Sequence, residues 1–205
     1  MDRRKRKSRK AILDACVELI QEKDFQSITI NEIVLRADLN RGTFYLHFAD
    51  KYDMMNSFEN ELIEKIEHVI VKNLPVQQSG QHFIQSRYDT ILETLKCLEE
   101  NKDLLQLLLK SSHNSSFQAK LRSTMKLVLE EQMLPKLDID NLNVPIDLLL
   151  IIFTSSALSA IEYAYHSEAH MDAEKLAKFL INIMVHGPAK TFGFIRHDEA
   201  FTFMK

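Results

Sequence analysis

Glycine and proline are scarce in this chain, with four of each in 205 residues. A β-sandwich or barrel needs many tight turns, so the shortage argues against an all-β fold. Cysteine is scarcer still. Cys16 and Cys97 are isolated, each within an apolar helical pattern, and read as reduced core residues rather than as a disulfide or metal pair. Long hydrophobic runs are also missing: the longest, Leu148 to Phe153, is far too short to span a bilayer. The basic N-terminus lacks the apolar core of a signal peptide, so a cytoplasmic location is expected. No Gly-rich phosphate loop, His-Glu-x-x-His or Gly-x-Ser-x-Gly occurs, so neither catalysis nor a cofactor is expected. His166 and His170 are spaced as helical metal ligands can be, but no third ligand accompanies them.

What is present suits a packed globular body. Hydrophobic residues make up 45% of the chain and charged residues 27%. The net charge of −3 hides an asymmetry. Residues 1–53 carry 11 Lys and Arg against 9 Asp and Glu, net +2, which leaves 15 against 20, net −5, for the remainder. Arg3, Arg4, Lys5, Arg6, Lys7, Arg9 and Lys10 crowd the first ten residues. Such an arm attracts nucleic acid or an anionic surface; alone, it reads equally well as a solvated, frayed terminus.

The periodicity is helical nearly throughout. Ile12, Leu13, Ala15, Cys16, Leu19 and Ile20 define a first helix from Ser8, ending at Lys23-Asp24. Thr29-x-x-Glu32 is a capping box that opens a second helix to about Arg36. Ala37-Asp38-Leu39 forms a turn, and Asn40 caps a third helix running to about His47. Asp50 caps a fourth, with Met54, Phe58, Leu62, Ile66 and Val69 as one stripe. The turn demands a residue that tolerates positive φ. Asp38 does so at a cost of roughly 1 kcal/mol relative to Gly, and the connection at Asp24 is expected to make the same demand. Leu74 to Gly80 is the clearest break. Further helices are expected at about 81–100, 102–112, 115–134, 145–167 and 172–187.

Residues 41–51, Arg-Gly-Thr-Phe-Tyr-Leu-His-Phe-Ala-Asp-Lys, carry the strongest functional signal. Phe44 and Phe48 lie four apart and can anchor a short helix to a core. Gly42 and Thr43 are small near its N-terminus and suit close approach to a bulky polyanion. Arg41, Thr43, Tyr45, His47 and Lys51 supply donors on the other side. A short, outwardly polar helix behind a tight turn has the outline of a DNA recognition helix.

These residues resemble the N-terminal domain of the TetR family of bacterial transcriptional regulators. The resemblance lies in Arg9, Ile12-Leu13, Ala15, Ser27 to Ile30, Ile33, Ala37, the run Gly42-Thr43-Phe44-Tyr45-x-His47-Phe48, and Lys51. The family usually has Gly where Asp24 and Asp38 stand. The resemblance implies an all-α, Ω-shaped homodimer. Residues 1–53 would form the three-helix helix-turn-helix domain. Residues 54–205 would supply the linker helix and the effector-binding and dimerisation bundle. By position, Arg41, Gly42, Thr43, Leu46 and His47 would face the major groove or its edges, and Thr29, Tyr45 and Lys51 would meet phosphates.

Arg41 is the candidate for base readout, with phosphate gripping as its alternative. Thr43 suits a phosphate or a thymine methyl, or else stabilises its helix. His47 either contacts DNA or satisfies helix C-terminal carbonyls. Farther on, Ser156, Ala157 and Ala160 are small where two helices of a symmetric interface could approach, or where an internal seam closes. A small-molecule pocket could draw on Phe83, Arg87, Tyr88, His113, Phe117, Met125, Met133 and Tyr163, each of which is also ordinary core or surface material. The tail from Phe192 to Phe203 is apolar enough to pack on the bundle, a dimer partner or another protein. The expected function is a repressor that binds a palindromic operator as a dimer and is released by a ligand. The alternative is an activator or coactivator working through a protein partner.

Overall fold

The computed structural model describes residues 3–73, 81–110, 114–132, 145–166 and 171–191. All regular elements among them are helical: α1 (Arg3–Glu22), α2 (Ile30–Arg36), α3 (Arg41–Tyr45), α4 (Lys51–Lys72), α5 (Gln81–Glu100), α6 (Lys102–Lys110), α7 (Asn114–Gln132), α8 (Ile146–His166) and α9 (Ala173–Thr191). A 3-10 turn at Phe25–Ser27 joins α1 to α2. None of these helices is long and apolar enough to cross a membrane. The tail beyond Thr191, His113, Met133 and His170 lie outside the described residues.

The first helix begins earlier than its apolar period suggests. Arg3 to Lys7 are already helical, because Arg and Lys side chains lose little freedom in a helix. The basic arm is therefore the leading part of α1. At the other end of the chain, Gly187 takes φ 71° and ψ 169° and kinks α9, close to where the pattern stops.

Caps fix the helix-turn-helix. Thr29 Oγ1 accepts from the Glu32 N–H, and the Glu32 carboxylate accepts from the Thr29 N–H, so both halves of the capping box are made. α2 ends in a Schellman motif: the Leu39 N–H reaches Val34 O at 2.8 Å and the Asp38 N–H reaches Leu35 O at 3.3 Å. That geometry puts Asp38 at φ 51°, as the turn demands. Asp24 differs. It sits at φ −61°, ψ 142°, ordinary extended backbone, because the 3-10 turn and not a left-handed residue redirects the chain there. Asn40 caps α3 and Asp50 caps α4, each through its side-chain oxygen. α3 stops at Tyr45, two residues short of expectation, as the His47 and Phe48 N–H groups both converge on Phe44 O.

One continuous core joins the two halves of the molecule. α4 runs through it and is buried on more than one face, at Met54, Met55, Phe58, Leu62, Ile63, Ile66 and Ile70. Val69 is only half-buried, since Ile70 takes the inward position. α5 packs on α4 and α9, α7 on α4 and α8, and α6 on α1. Both cysteines are buried and free.

Candidate nucleic-acid interface

The recognition segment is a shell of exposed side chains on two buried rings. Phe44 and Phe48 are 0% and 2% exposed, with ring centroids 5.6 Å apart, and Phe48 meets Phe58 of α4 at 5.4 Å. Two aromatic anchors hold a five-residue helix that could not persist alone. Arg9 of α1 completes the seat. Its guanidinium lies 5.0 Å from the Phe48 ring and 4.9 Å from the Phe58 ring. It also donates to Ser57 Oγ at 3.0 Å and Glu61 Oε2 at 3.1 Å. Arg9 thus ties α1 to α4 and to the Phe48 anchor that follows α3.

Outside this seat, Arg41, Gly42, Tyr45 and Leu46 are exposed, and Thr43 and His47 half-exposed. Arg41 leans toward Tyr45, its Nη2 3.3 Å from the phenol oxygen. Asn40 Oδ1 accepts from the Thr43 N–H at 2.8 Å and from the Thr43 hydroxyl at 3.1 Å. Gly42 serves this cap as well as any close approach: a Cβ there would stand 3.2 Å from Asn40 Oδ1. His47 Nε2 lies 2.7 Å from Ser8 Oγ. Partial burial pulls its imidazole below the ordinary value of 6.5, and the positive charges of Arg9 and Lys5 add to the effect.

Two expected phosphate contacts carry local duties. Thr29 is exposed, but its hydroxyl serves the capping box. Glu32 of that box also pairs with Lys23; the hydrogen bonds from Lys23 and Thr29 hold its carboxyl at about 2. Lys51 carries the other local duty. Its ammonium donates to the carbonyls of Phe25, Gln26 and Ile28 at 3.1, 2.7 and 2.8 Å. An ammonium has three protons, and all are engaged in closing the 3-10 turn onto α4. Two exposed residues escaped the sequence reading. Leu35 of α2 is 82% exposed, an apolar side chain on the outward side of the Ile33-Val34 stripe. Tyr52 is exposed with its hydroxyl donating to Gln26 Oε1 at 3.0 Å.

The predicted pocket residues that the structure describes have different surroundings. A cavity of about 160 Å³ lies between α4, α5, α7, α8 and α9, and of the predicted residues Arg87 and Met125 line it. Phe117 is fully buried in the core but does not line the cavity. Tyr88 is half-buried against the core, and Tyr163 is 59% exposed on α8. Phe83 belongs to α5, but its side chain is outside the described set, as is His113. Ala157 and Ser156, expected at a dimer seam, also line the cavity. Among the described residues no cluster of His, Cys, Asp or Glu could hold a metal.

Known proteins match in both halves. Residues 12–58 fit the family model for bacterial regulatory proteins of the tetR family. Residues 85–186 fit a model for a transcriptional regulator C-terminal region. The chain is 31% identical over 77 residues to YxbF, an uncharacterized HTH-type transcriptional regulator of Bacillus subtilis, covering 37% of this chain and 20% of that protein. It is 32% identical over 101 residues to YvdT, another such regulator of Bacillus subtilis, covering 47% of this chain and 48% of that one. The chain therefore spans less than half the length of these curated relatives. A TetR transcriptional regulator from Streptococcus agalactiae superimposes with a TM-score of 0.57 at 26% identity, over 89% of this chain and 96% of that one.

Proposed function

The chain belongs to the TetR family of bacterial transcriptional regulators, and from that premise we propose that it is a cytoplasmic, ligand-released repressor acting as a homodimer on a palindromic operator. It is a DNA-binding regulator and not an enzyme. The observation that carries the finer reading is the exposed row of Arg41, Thr43, Tyr45, Leu46 and His47 over the buried Phe44–Phe48 anchor. Arg41 reads a base edge, and Tyr45 with the basic turns of α1 grips phosphate. Residues 1–53 serve as the DNA-binding domain and 54–205 as the dimerisation and effector domain. The outward face of α8, with Leu148, Ile151, Ile152 and Tyr163 exposed, supports dimerisation. α4 reaches both halves: Phe58 lies under Arg9, while Ile66 and Ile70 line the cavity. A ligand there could release DNA only by binding the non-DNA conformation more tightly.

Selection of genomic fragments with the purified full chain tests this reading, and salt titration on the selected site sharpens it. A dimer neutralising about 6–10 phosphates should give a slope of log K against log salt of about −5 to −9. A flat response, or no fragment preferred, would defeat the operator reading.

A further inference from the structure

The outward surface of the recognition segment falls into three strips, and the middle one is apolar. Arg41 and Tyr45, four apart, form a polar strip, with Arg41 Nη2 3.3 Å from the phenol oxygen. Thr43 and His47 form another, and both have partners inside the domain. The Thr43 hydroxyl donates to Asn40 Oδ1 at 3.1 Å, and His47 Nε2 lies 2.7 Å from Ser8 Oγ. With its proton spent on the cap, Thr43 has no hydrogen to give a phosphate or a base, and its methyl group remains. Between these strips stand Gly42 and Leu46, one turn apart, with the Leu46 N–H on Gly42 O at 3.1 Å. Two residues turn a helix by about 200°, so Leu46 lies nearly opposite the buried Phe44, at the crest of the segment. A helical side chain leans back over the preceding turn, where Gly42 has no side chain to meet it. Leu46 is 74% exposed. A lone exposed leucine needs no explanation, but one at the crest of a DNA-reading segment does.

The chemistry of the major groove says what such a crest can meet. Base edges there carry hydrogen-bond donors and acceptors, and one apolar group, the C5-methyl of thymine. A leucine pressed on donors and acceptors strips their water and gives no bond in return, which is costly. Pressed on a methyl, it buries apolar area on both sides. Charge favours DNA over an apolar protein surface as the occupant. Arg3 to Lys7 are exposed along the first turns of α1, and Ser8, which follows them, touches His47. We infer that Leu46 reads a thymine methyl in each half-site, with Gly42 leaving room for the base edge and the Thr43 methyl on its flank. This role rests on the operator reading above and names the base feature that the apolar strip selects.

Uracil differs from thymine only in lacking the C5-methyl, so DNA carrying it tests the contact directly. On the operator selected by the full chain, each thymine is replaced in turn by uracil, and binding is followed by fluorescence anisotropy. One or two positions in each half-site should lose affinity roughly fourfold, the worth of one buried methyl-sized group, and roughly fifteenfold when both half-sites are changed together. Leu46→Ala should bind the thymine operator more weakly and show almost no uracil penalty at those positions, while Leu46→Met, still apolar, should keep it. An operator in which every thymine tolerates uracil would overturn the role of Leu46. So would a penalty that survives Leu46→Ala at full size, which would assign the methyl to another side chain. Leu46 is exposed, so neither substitution should move the melting temperature, and the scan with the native chain needs no variant at all. If no fragment is selected, the operator reading fails and this role with it; a selected operator indifferent to uracil defeats this role alone.

Discussion

At the residue scale, Arg41 and Lys51 have identical charges and opposite surroundings. Arg41 is exposed beside Tyr45, whereas Lys51 holds three carbonyls of the chain itself. Arg41→Ala should therefore cost roughly 1–3 kcal/mol per half-site on the preferred operator, relax specificity there and leave the melting temperature unchanged. Lys51→Ala should lower stability by about 1–3 kcal/mol, because three charge-assisted bonds disappear together. Thermal melts beside operator titrations check both, and a Lys51→Ala chain as stable as the native one would return that residue to the phosphate list. His47 offers a pH test. It faces Ser8, Lys5 and Arg9 of α1, and burial with those charges lowers its pKa in the folded chain. The unfolded chain then holds the proton more readily, so stability falls as pH drops below 6.5. A nearby phosphate acts in the opposite direction by favouring the imidazolium. Operator affinity should accordingly rise from about pH 8 to pH 6, and His47→Gln should flatten the dependence. A pH-independent affinity in the native chain would place His47 away from the phosphates.

At the element scale, two aspartates that look alike in sequence behave differently. Asp38 occupies the left-handed position of a Schellman motif, while Asp24 has ordinary extended dihedrals. Replacing Asp38 with Gly removes the Cβ strain and should stabilise by up to about 1 kcal/mol, or roughly 2–4 °C in melting temperature. Asp24→Gly relieves nothing and adds freedom to the unfolded chain, so it should destabilise slightly. Equal effects at both sites in parallel melts would contradict the backbone account. The elements themselves were legible because caps and periodicity are local. Thr29-x-x-Glu32, Asn40 and Asp50 mark starts that the structure reproduces. The 3-10 turn was not legible, since Phe25 to Ser27 is stabilised by Lys51, distant in sequence.

At the scale of the whole molecule, the small residues of α8 face more than one environment. Ala157 lines the cavity, and Ala160 packs half-buried against its own core. Ala160→Glu would therefore confuse folding with assembly. Ile151 and Ile152, 56% and 50% exposed, are better probes of a dimer. Ile151→Glu with Ile152→Glu should leave the protomer folded, yield monomers by analytical ultracentrifugation and sharply weaken operator binding, because one half-site provides half the contacts. A doubly substituted chain that still sediments as a dimer would move the interface elsewhere.

The sequence by itself determined the helices, their caps and the family, because period, capping and the Gly42 to Lys51 run are encoded among near neighbours. It also identified Phe44 and Phe48 as anchors, since their spacing leaves one face of a short helix to bury. Only the tertiary structure decided which polar groups remain available. Lys51 and Arg9 are ordinary cations in the sequence; in the fold one holds a turn closed and the other ties α1 to α4 and to the Phe48 ring. Only the tertiary structure, too, put Arg87 and Met125 beside a cavity. A cavity is the space left where five helices fail to meet, and no segment of chain records where that will be.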